Sequence, residues 1–241
     1  REFDQPDISF ESMPWGLRLT ALRRISETIT HVRVTNALFP QTFVIPLSET
    51  MTITQIHVPV DDTKNYWYAI FTSFDAPVDK EVMRNQRLEA VTLPDYIPKA
   101  GAHNNWGFSP EEQISRTYLG MGESDINVHD QWACESMGAI QDRTREHLGT
   151  TDKVIMANRR NLLKAIETVQ AGGTPPGVAD SEIAAHRMGP DTVDGLAPTG
   201  GVEAWWRHAV QAKRDNAPWD ASLKPVAEPL AAEYSPHEEA S

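Results

Sequence analysis

Between Trp15 and Phe74 the chain is a succession of short apolar alternations broken by turn residues, and that period confines this stretch to antiparallel sheet. Trp15, Leu17, Leu19 and Ala21 fall on alternate positions, with Arg18 and Thr20 between them. Thr30 to Leu38 is similarly β-rich, with Arg33 inside it, and Phe43 to Leu47 follows Pro40. Met51 and Ile53 hold one phase while Ile56, Val58 and Val60 hold the other, which predicts a one-residue bulge near Gln55. Asp61-Asp62-Thr63-Lys64 supplies a turn, and Asn65 to Phe74 returns as an aromatic strand. Connections of hairpin length predict a meander.

The remainder changes period. Asp79 to Ala90 is expected as a short helix, and Pro94 to Gly122, broken by Pro, Asn and Gly, as a long functional loop or cap. Thr151 and Asp152 are N-cap residues for a helix to about Ala171, ended by Gly172. Ile155, Leu162, Leu163, Ile166 and Val169 make one apolar stripe on it. A long amphipathic helix on an antiparallel sheet is an α+β layer arrangement. The expected division is a catalytic domain over residues 1–172 and a partly irregular extension over 173–241, with a short helix near 202–213. Gly173 to Gly201 reads as an extended arm, and Pro225 to Ser241 as a fraying end.

Composition narrows the function. A formal charge of −12 argues against nucleic acid and against anionic membrane surfaces, both of which need clustered Lys and Arg. No apolar run approaches the roughly 18 residues that span a bilayer. Cys134 is the single cysteine, so no internal disulfide forms and a cytoplasmic location is expected. A Rieske cluster takes two Cys and two His, so this chain alone cannot hold one. The chain begins at Arg1 rather than Met and is read as a piece of a longer polypeptide.

The informative stretch runs from His129-Asp130-Gln131-Trp132-Ala133-Cys134-Glu135-Ser136-Met137-Gly138 through Asp142-Arg143 and Glu146-His147-Leu148-Gly149 to Asp152, then Arg159-Arg160. This pattern resembles the C-terminal catalytic domain of Rieske non-haem iron ring-hydroxylating oxygenase α subunits, in the branch of phthalate dioxygenase and aryl O-demethylases. Weaker likeness covers most of residues 14–170, through Val32-Arg33-Val34-Thr35 and Pro40. The resemblance implies a helix-grip (START-like) fold, a curved antiparallel sheet around a long C-terminal helix. It also implies mononuclear Fe(II) held by two histidines and one carboxylate with open positions left over. The carboxylate that precedes the Glu by five residues is Asp130 here. Asp130 otherwise reads as an N-cap for a helix starting at Gln131, and the two roles are compatible. Trp132, Met137 and Ile140 are its apolar neighbours in sequence, as a pocket for the metal requires.

The family's paired histidines, in an Asp-x-x-His-x-x-x-x-His-like pattern, are absent from the eight histidines of this chain. His129 adjoins Asp130 too closely to ligate with it, and His147 reads as a hydrogen-bonding residue. Asp142 with Arg145 and Arg143 with Glu146 read as surface pairs, and Cys134 as a small buried packing residue. The resemblance implies dioxygen activation that hydroxylates or O-demethylates an aromatic, carboxylated substrate. Electrons would come from a [2Fe–2S] Rieske cluster in the missing domain, fed by NAD(P)H through a separate reductase, in a homotrimer or a multiple of it. The fragment alone is expected to be inactive. An arginine suits such an anion, with Arg33 first and Arg18 second, and Trp67, Tyr68 and Phe71 line a cavity or fill a core. The rivals are a non-catalytic helix-grip domain binding a hydrophobic ligand, and a metal-dependent hydrolase, for which no His-Glu-x-x-His is present.

Overall fold

The computed structural model describes residues 5–122, 127–176 and 192–218. The chain forms two compact units: Arg1–Pro59 with Asn65–Pro77 and Leu148–Ser241, and Val60–Lys64 with Val78–His147.

The first unit is built on the expected antiparallel meander. Strands β1 (Asp7–Met13), β2 (Gly16–Arg24), β3 (Ile29–Leu38), β4 (Thr42–Pro46), β5 (Met51–Pro59) and β6 (Asn65–Ser73) pair in chain order. The same device closes two of the turns. Ile25 N–H donates to the Ile29 carbonyl while the Ser26 hydroxyl accepts from Thr28 and Ile29; Leu47, Met51 and Ser48 repeat the arrangement. The turn after β5 is the expected one, with Asp61 Oδ1 accepting from the Thr63 N–H at 2.7 Å. The anticipated bulge near Gln55 is not there: β5 pairs with β6 without interruption from Met51↔Ser73 to Pro59↔Asn65. The apolar residues change phase because β5 buries Ile53 on one face and carries Ile56 and Val58 on the other.

Three later elements complete this unit. The long helix forms where expected, over Lys153–Gln170, and β9 (Val193–Pro198) pairs with β3 from Ile29 to Val34, where β4 leaves that side of β3 open. A final helix spans Val202–Asn216. The remaining elements, all in the second unit, are α1 (Lys80–Glu89), β7 (Val91–Thr92), β8 (Ile97–Pro98), α2 (Pro110–Ser115) and α3 (Asn127–Glu135), so the two long helices are α4 and α5. This is an α+β, helix-grip-like architecture. Its buried cluster is Val32 and Val34 of β3, Val193 and Ala197 of β9, and Trp206 and Val210 of α5. Each of its valines contributes about 1.5–3 kcal/mol on burial. Gly195 lets α5 approach, since a Cβ there would lie 2.7 Å from the Trp205 ring.

The stretch beyond Gly172 therefore supplies a strand and a helix to the main core, where an extended arm was expected over 173–201. Most of that arm, and the end from Pro225, lie outside the described residues. Helix α4 contacts β2 and buries Ala165, and Gly172 ends it with φ +78°. Its predicted stripe is largely in water: Ile155, Leu163, Ile166 and Val169 are 44, 61, 51 and 54% exposed.

In the second unit, Asp79 caps α1 by accepting from the Glu81 and Val82 N–H groups. The predicted loop over 94–122 contains β8, a 3-10 turn at Ala102–Gly107 and the short helix α2. Glu112 ties that helix down: its Oε1 accepts from Thr117 Oγ1 at 2.8 Å and from the Gly122 N–H at 2.7 Å.

Candidate functional site

Asp130 stands in the first turn of α3, which already begins at Asn127, so it is inside the helix and not its N-cap. Asp130 is exposed, as are Trp132, Met137 and Ile140, at 40, 51 and 72%. The apolar surround expected from their spacing is therefore not formed within this unit. The adjoining helix face is fastened instead. Gln131 Nε2 donates to the Ala100 carbonyl at 2.8 Å and to Glu135 Oε1 at 3.1 Å, and Trp106 Nε1 donates to Glu135 Oε2 at 2.8 Å.

One turn along from Asp130 lies Cys134, which is exposed and not the buried packing residue expected. Partial burial of the thiol, then the charges of Asp130 and Glu135, push its pKa up. It is thus held as a neutral thiol, and the donor this helix offers a metal is a hard carboxylate oxygen. His129 has both ring nitrogens buried without a hydrogen-bond partner. Among the described residues no three His, Cys, Asp or Glu side chains gather as a metal set. Asp130 fits one iron position by its chemistry, and the described residues do not complete the set around it.

The rest of the motif is divided between the units, which meet in sequence at His147 and Leu148. Asp142 caps the 3-10 turn Arg143–Arg145 and accepts from the Thr144 hydroxyl at 2.6 Å and its N–H at 3.0 Å. Those two bonds hold its carboxyl below the usual range. Asp152 takes the Gly149 N–H at 2.8 Å, and His147 is exposed.

The two candidate arginines lie on opposite faces of the sheet. Arg18 pairs with Asn36 and Ala21 with Arg33, and residues three apart on β3 point to opposite sides. Arg18 is 7% exposed, on the face that receives α5; its guanidinium is 5.2 Å from the Trp206 ring and 5.9 Å from the Trp15 ring. Arg33 lies on the other face, where register also places Phe43, Gln55, Trp67 and Phe71. Tyr68 belongs to the Arg18 face and is 54% exposed, so it does not join Trp67 and Phe71. Arg33 pairs through Nη1 with Asp194 and donates through Nη2 to the Pro46 carbonyl at 3.0 Å, while His31 Nε2 lies 2.5 Å from the other oxygen of Asp194. On the same face of the sheet, Trp67 stacks on His57 with ring centroids 5.5 Å apart, and its Nε1 is buried without a partner.

Three of these residues escaped sequence reasoning. Asp194 lies in the stretch read as an arm, Gln131 was weighed only as the residue after Asp130, and Trp106 sits in a loop. A signal existed for Trp106: Asn104-Asn105 before it and Gly107 after it mark a left-handed turn.

Over 185 residues the chain is 28% identical to the phthalate 4,5-dioxygenase oxygenase subunit of Pseudomonas putida, covering 74% of this chain and 42% of that protein. Over 175 residues it is 28% identical to the 3-chlorobenzoate-3,4-dioxygenase oxygenase subunit of Comamonas testosteroni, covering 65% of this chain and 40% of that protein. The chain thus spans about two fifths of the length of these curated relatives. Residues 3–219 match the family described as LigXa C-terminal domain like, and the chain belongs to that family, an oxygenase-subunit relationship that the motif from Asp130 to Asp152 had indicated.

Proposed function

We propose that this chain is the mononuclear iron domain of a Rieske-type oxygenase acting on an aromatic acid, with Asp130 as the carboxylate ligand. The observation that carries the reading is the family match across residues 3–219, within which the motif puts Asp130 five residues before Glu135 on a fastened helix. Two histidine ligands and a [2Fe–2S] Rieske cluster would come from polypeptide beyond this chain, and NAD(P)H would feed them through a reductase. Fe(II), when bound, supplies the open positions at which dioxygen is taken up and reduced. The protein's own share is to hold the ring and exclude competing reactions. Arg33 is the residue we assign to the substrate carboxylate: it is on the sheet face that carries Phe43, Trp67 and Phe71, and 39% of its side chain is accessible. Asp194 then acts as its resting counter-ion, yielding one guanidinium edge when an anion arrives. Arg18, beneath α5, is assigned to the core. We further propose a cytoplasmic protein working as a trimer or a multiple of it; among the described residues no helix is long and apolar enough to cross a membrane.

The test is Asp130→Ala in the full polypeptide. Loss of mononuclear iron with the Rieske absorption spectrum retained is the expected outcome. Unchanged iron content would overturn the assignment of Asp130, and a parent polypeptide that binds no mononuclear iron would favour a ligand-binding module without redox chemistry.

A further inference from the structure

The turn that fastens α3 is built against the preferences of its residues. Asn105 and Trp106 have φ of +51° and +52°, and Gly107 follows at +72°. A left-handed conformation is free for glycine, tolerated by asparagine and unfavourable for a bulky side chain. The turn is held from several directions. Asn104 accepts the Gly101 N–H at 2.9 Å and donates to the Lys99 carbonyl at 2.9 Å, while the Trp106 N–H reaches the Gly101 carbonyl at 2.8 Å. Glycine at 106 would adopt this backbone without strain, so the turn itself does not call for tryptophan. What the indole adds is its reach to Glu135, 29 positions along the chain.

On a helix, Gln131 and Glu135 share a face, and Asp130 with Cys134 occupies the face next to it. Gln131 grips the Ala100 carbonyl at one end of the 131/135 face, and Trp106 grips Glu135 at the other. Two anchors one turn apart stop the helix from rolling about its axis. A helix that cannot roll presents the neighbouring carboxylate in one direction.

We propose that Trp106 is a positioning residue for Asp130, acting through Glu135 to fix the rotation of α3. This rests on the reading of Asp130 as an iron ligand. Outer partners of metal ligands typically set affinity by about 10–100-fold, and an anchor one residue removed belongs at the lower end of that span.

The experiment uses the full polypeptide, depleted of mononuclear iron and titrated with Fe(II) against a competing chelator. The electron paramagnetic resonance spectrum of the Fe(II) protein with nitric oxide serves as a second readout. Trp106→Phe keeps the ring and removes the donor; it is expected to weaken Fe(II) binding about 10-fold and to broaden the nitric oxide signal. Glu135→Ala should do the same. Glu135→Gln keeps a carbonyl acceptor for the indole N–H, gives up the one Gln131 uses while Gln131 keeps the Ala100 carbonyl, and should lose far less than Glu135→Ala. Parent-like iron binding and spectrum in Trp106→Phe would overturn the proposal, as would equal losses in Glu135→Gln and Glu135→Ala, which would show that charge and not the anchor matters. Should Trp106→Phe fail to fold by circular dichroism, the two Glu135 variants decide alone. Asp130→Ala runs alongside: if it retains iron, the ligand assignment has failed, whereas loss there with no effect at Trp106 and Glu135 removes only the anchor.

Discussion

The two arginines show how much a one-residue change of phase decides. Both read as strand arginines, Arg33 ahead of Arg18, and pairing puts them on opposite faces of one sheet. Arg18 sits between two indoles, with Glu11 at 3.8 Å as a distant and mostly exposed partner. Its worth is in packing and cation–π contact, at roughly 0.5–2 kcal/mol per ring, and not in the surface ion pair. Arg18→Met is therefore expected to lower stability by about 1–3 kcal/mol in a urea melt and to leave the KM for substrate unchanged. Arg33→Met in the full polypeptide should show the reverse pattern. It should raise KM for a carboxylated aromatic by about 10-fold, the loss of one good charge-assisted contact, with little change in the melt. A KM effect confined to Arg18 would reverse the assignment. At this scale the ligand helix was legible because a long motif marks Asp130. Its anchor was not, because the bond from Trp106 to Glu135 joins residues remote in sequence, and no local period reports such a contact.

Strands announced themselves more faithfully than helix packing did. Alternation from Trp15 to Phe74 is a property of neighbouring residues, so β2 to β6 appear within three residues of where it places them. β9 was hidden because Val193-Asp-Gly-Leu-Ala-Pro198 carries turn-like composition, and its pairing with β3 depends on the space that β4 leaves open. Both long helices were foreseen, but amphipathicity alone does not say which one is buried. The answer came from Gly195, whose missing side chain admits Trp205, and from Trp206 and Val210 closing over β3. The two helices should thus respond differently to truncation. Trp206→Ala empties a buried site and is expected to cost about 3–5 kcal/mol. Leu163→Ala on α4, 61% exposed, should stay within about 0.5 kcal/mol in this chain. Denaturant melts of the two variants measure the difference, and a larger loss at Leu163 would mean that α4 and not α5 closes the core.

The whole molecule divides its acid sensitivity unevenly. Asp61, Glu112 and Asp142 all have pKa values below the ordinary ones, and all three belong to the second unit. The leading causes are hydrogen bonds from threonines: the backbone and hydroxyl of Thr63 to Asp61, the Thr117 hydroxyl to Glu112, and the hydroxyl and backbone of Thr144 to Asp142. A carboxylate whose folded pKa lies below its unfolded value binds fewer protons in the native state, so it contributes stability at neutral pH. That contribution is complete above the unfolded values, 4.5 for Glu112 and 3.8 for the two aspartates, and is lost as pH falls through the lowered folded values. The bonds to Glu112 and Asp142 close a short helix and a 3-10 turn in a unit whose strand pairing, among the described residues, is the two-residue pair β7–β8, so protonation there weakens connections that no long ladder backs. Acidification from pH 6 to pH 3 should open the second unit first. Hydrogen exchange read by mass spectrometry would show protection falling in peptides from 78–147 while peptides from β2, β3 and α5 stay protected. Glu112→Gln should flatten that response, since it leaves an acceptor for Thr117 but no proton to gain. Simultaneous loss of protection in both units, or an unchanged profile in Glu112→Gln, would place the acid-sensitive groups elsewhere. Because α3 belongs to the unit that opens, the same experiment carries a functional corollary: Asp130 should lose its fixed direction at a pH where the sheet that carries Arg33 is still folded.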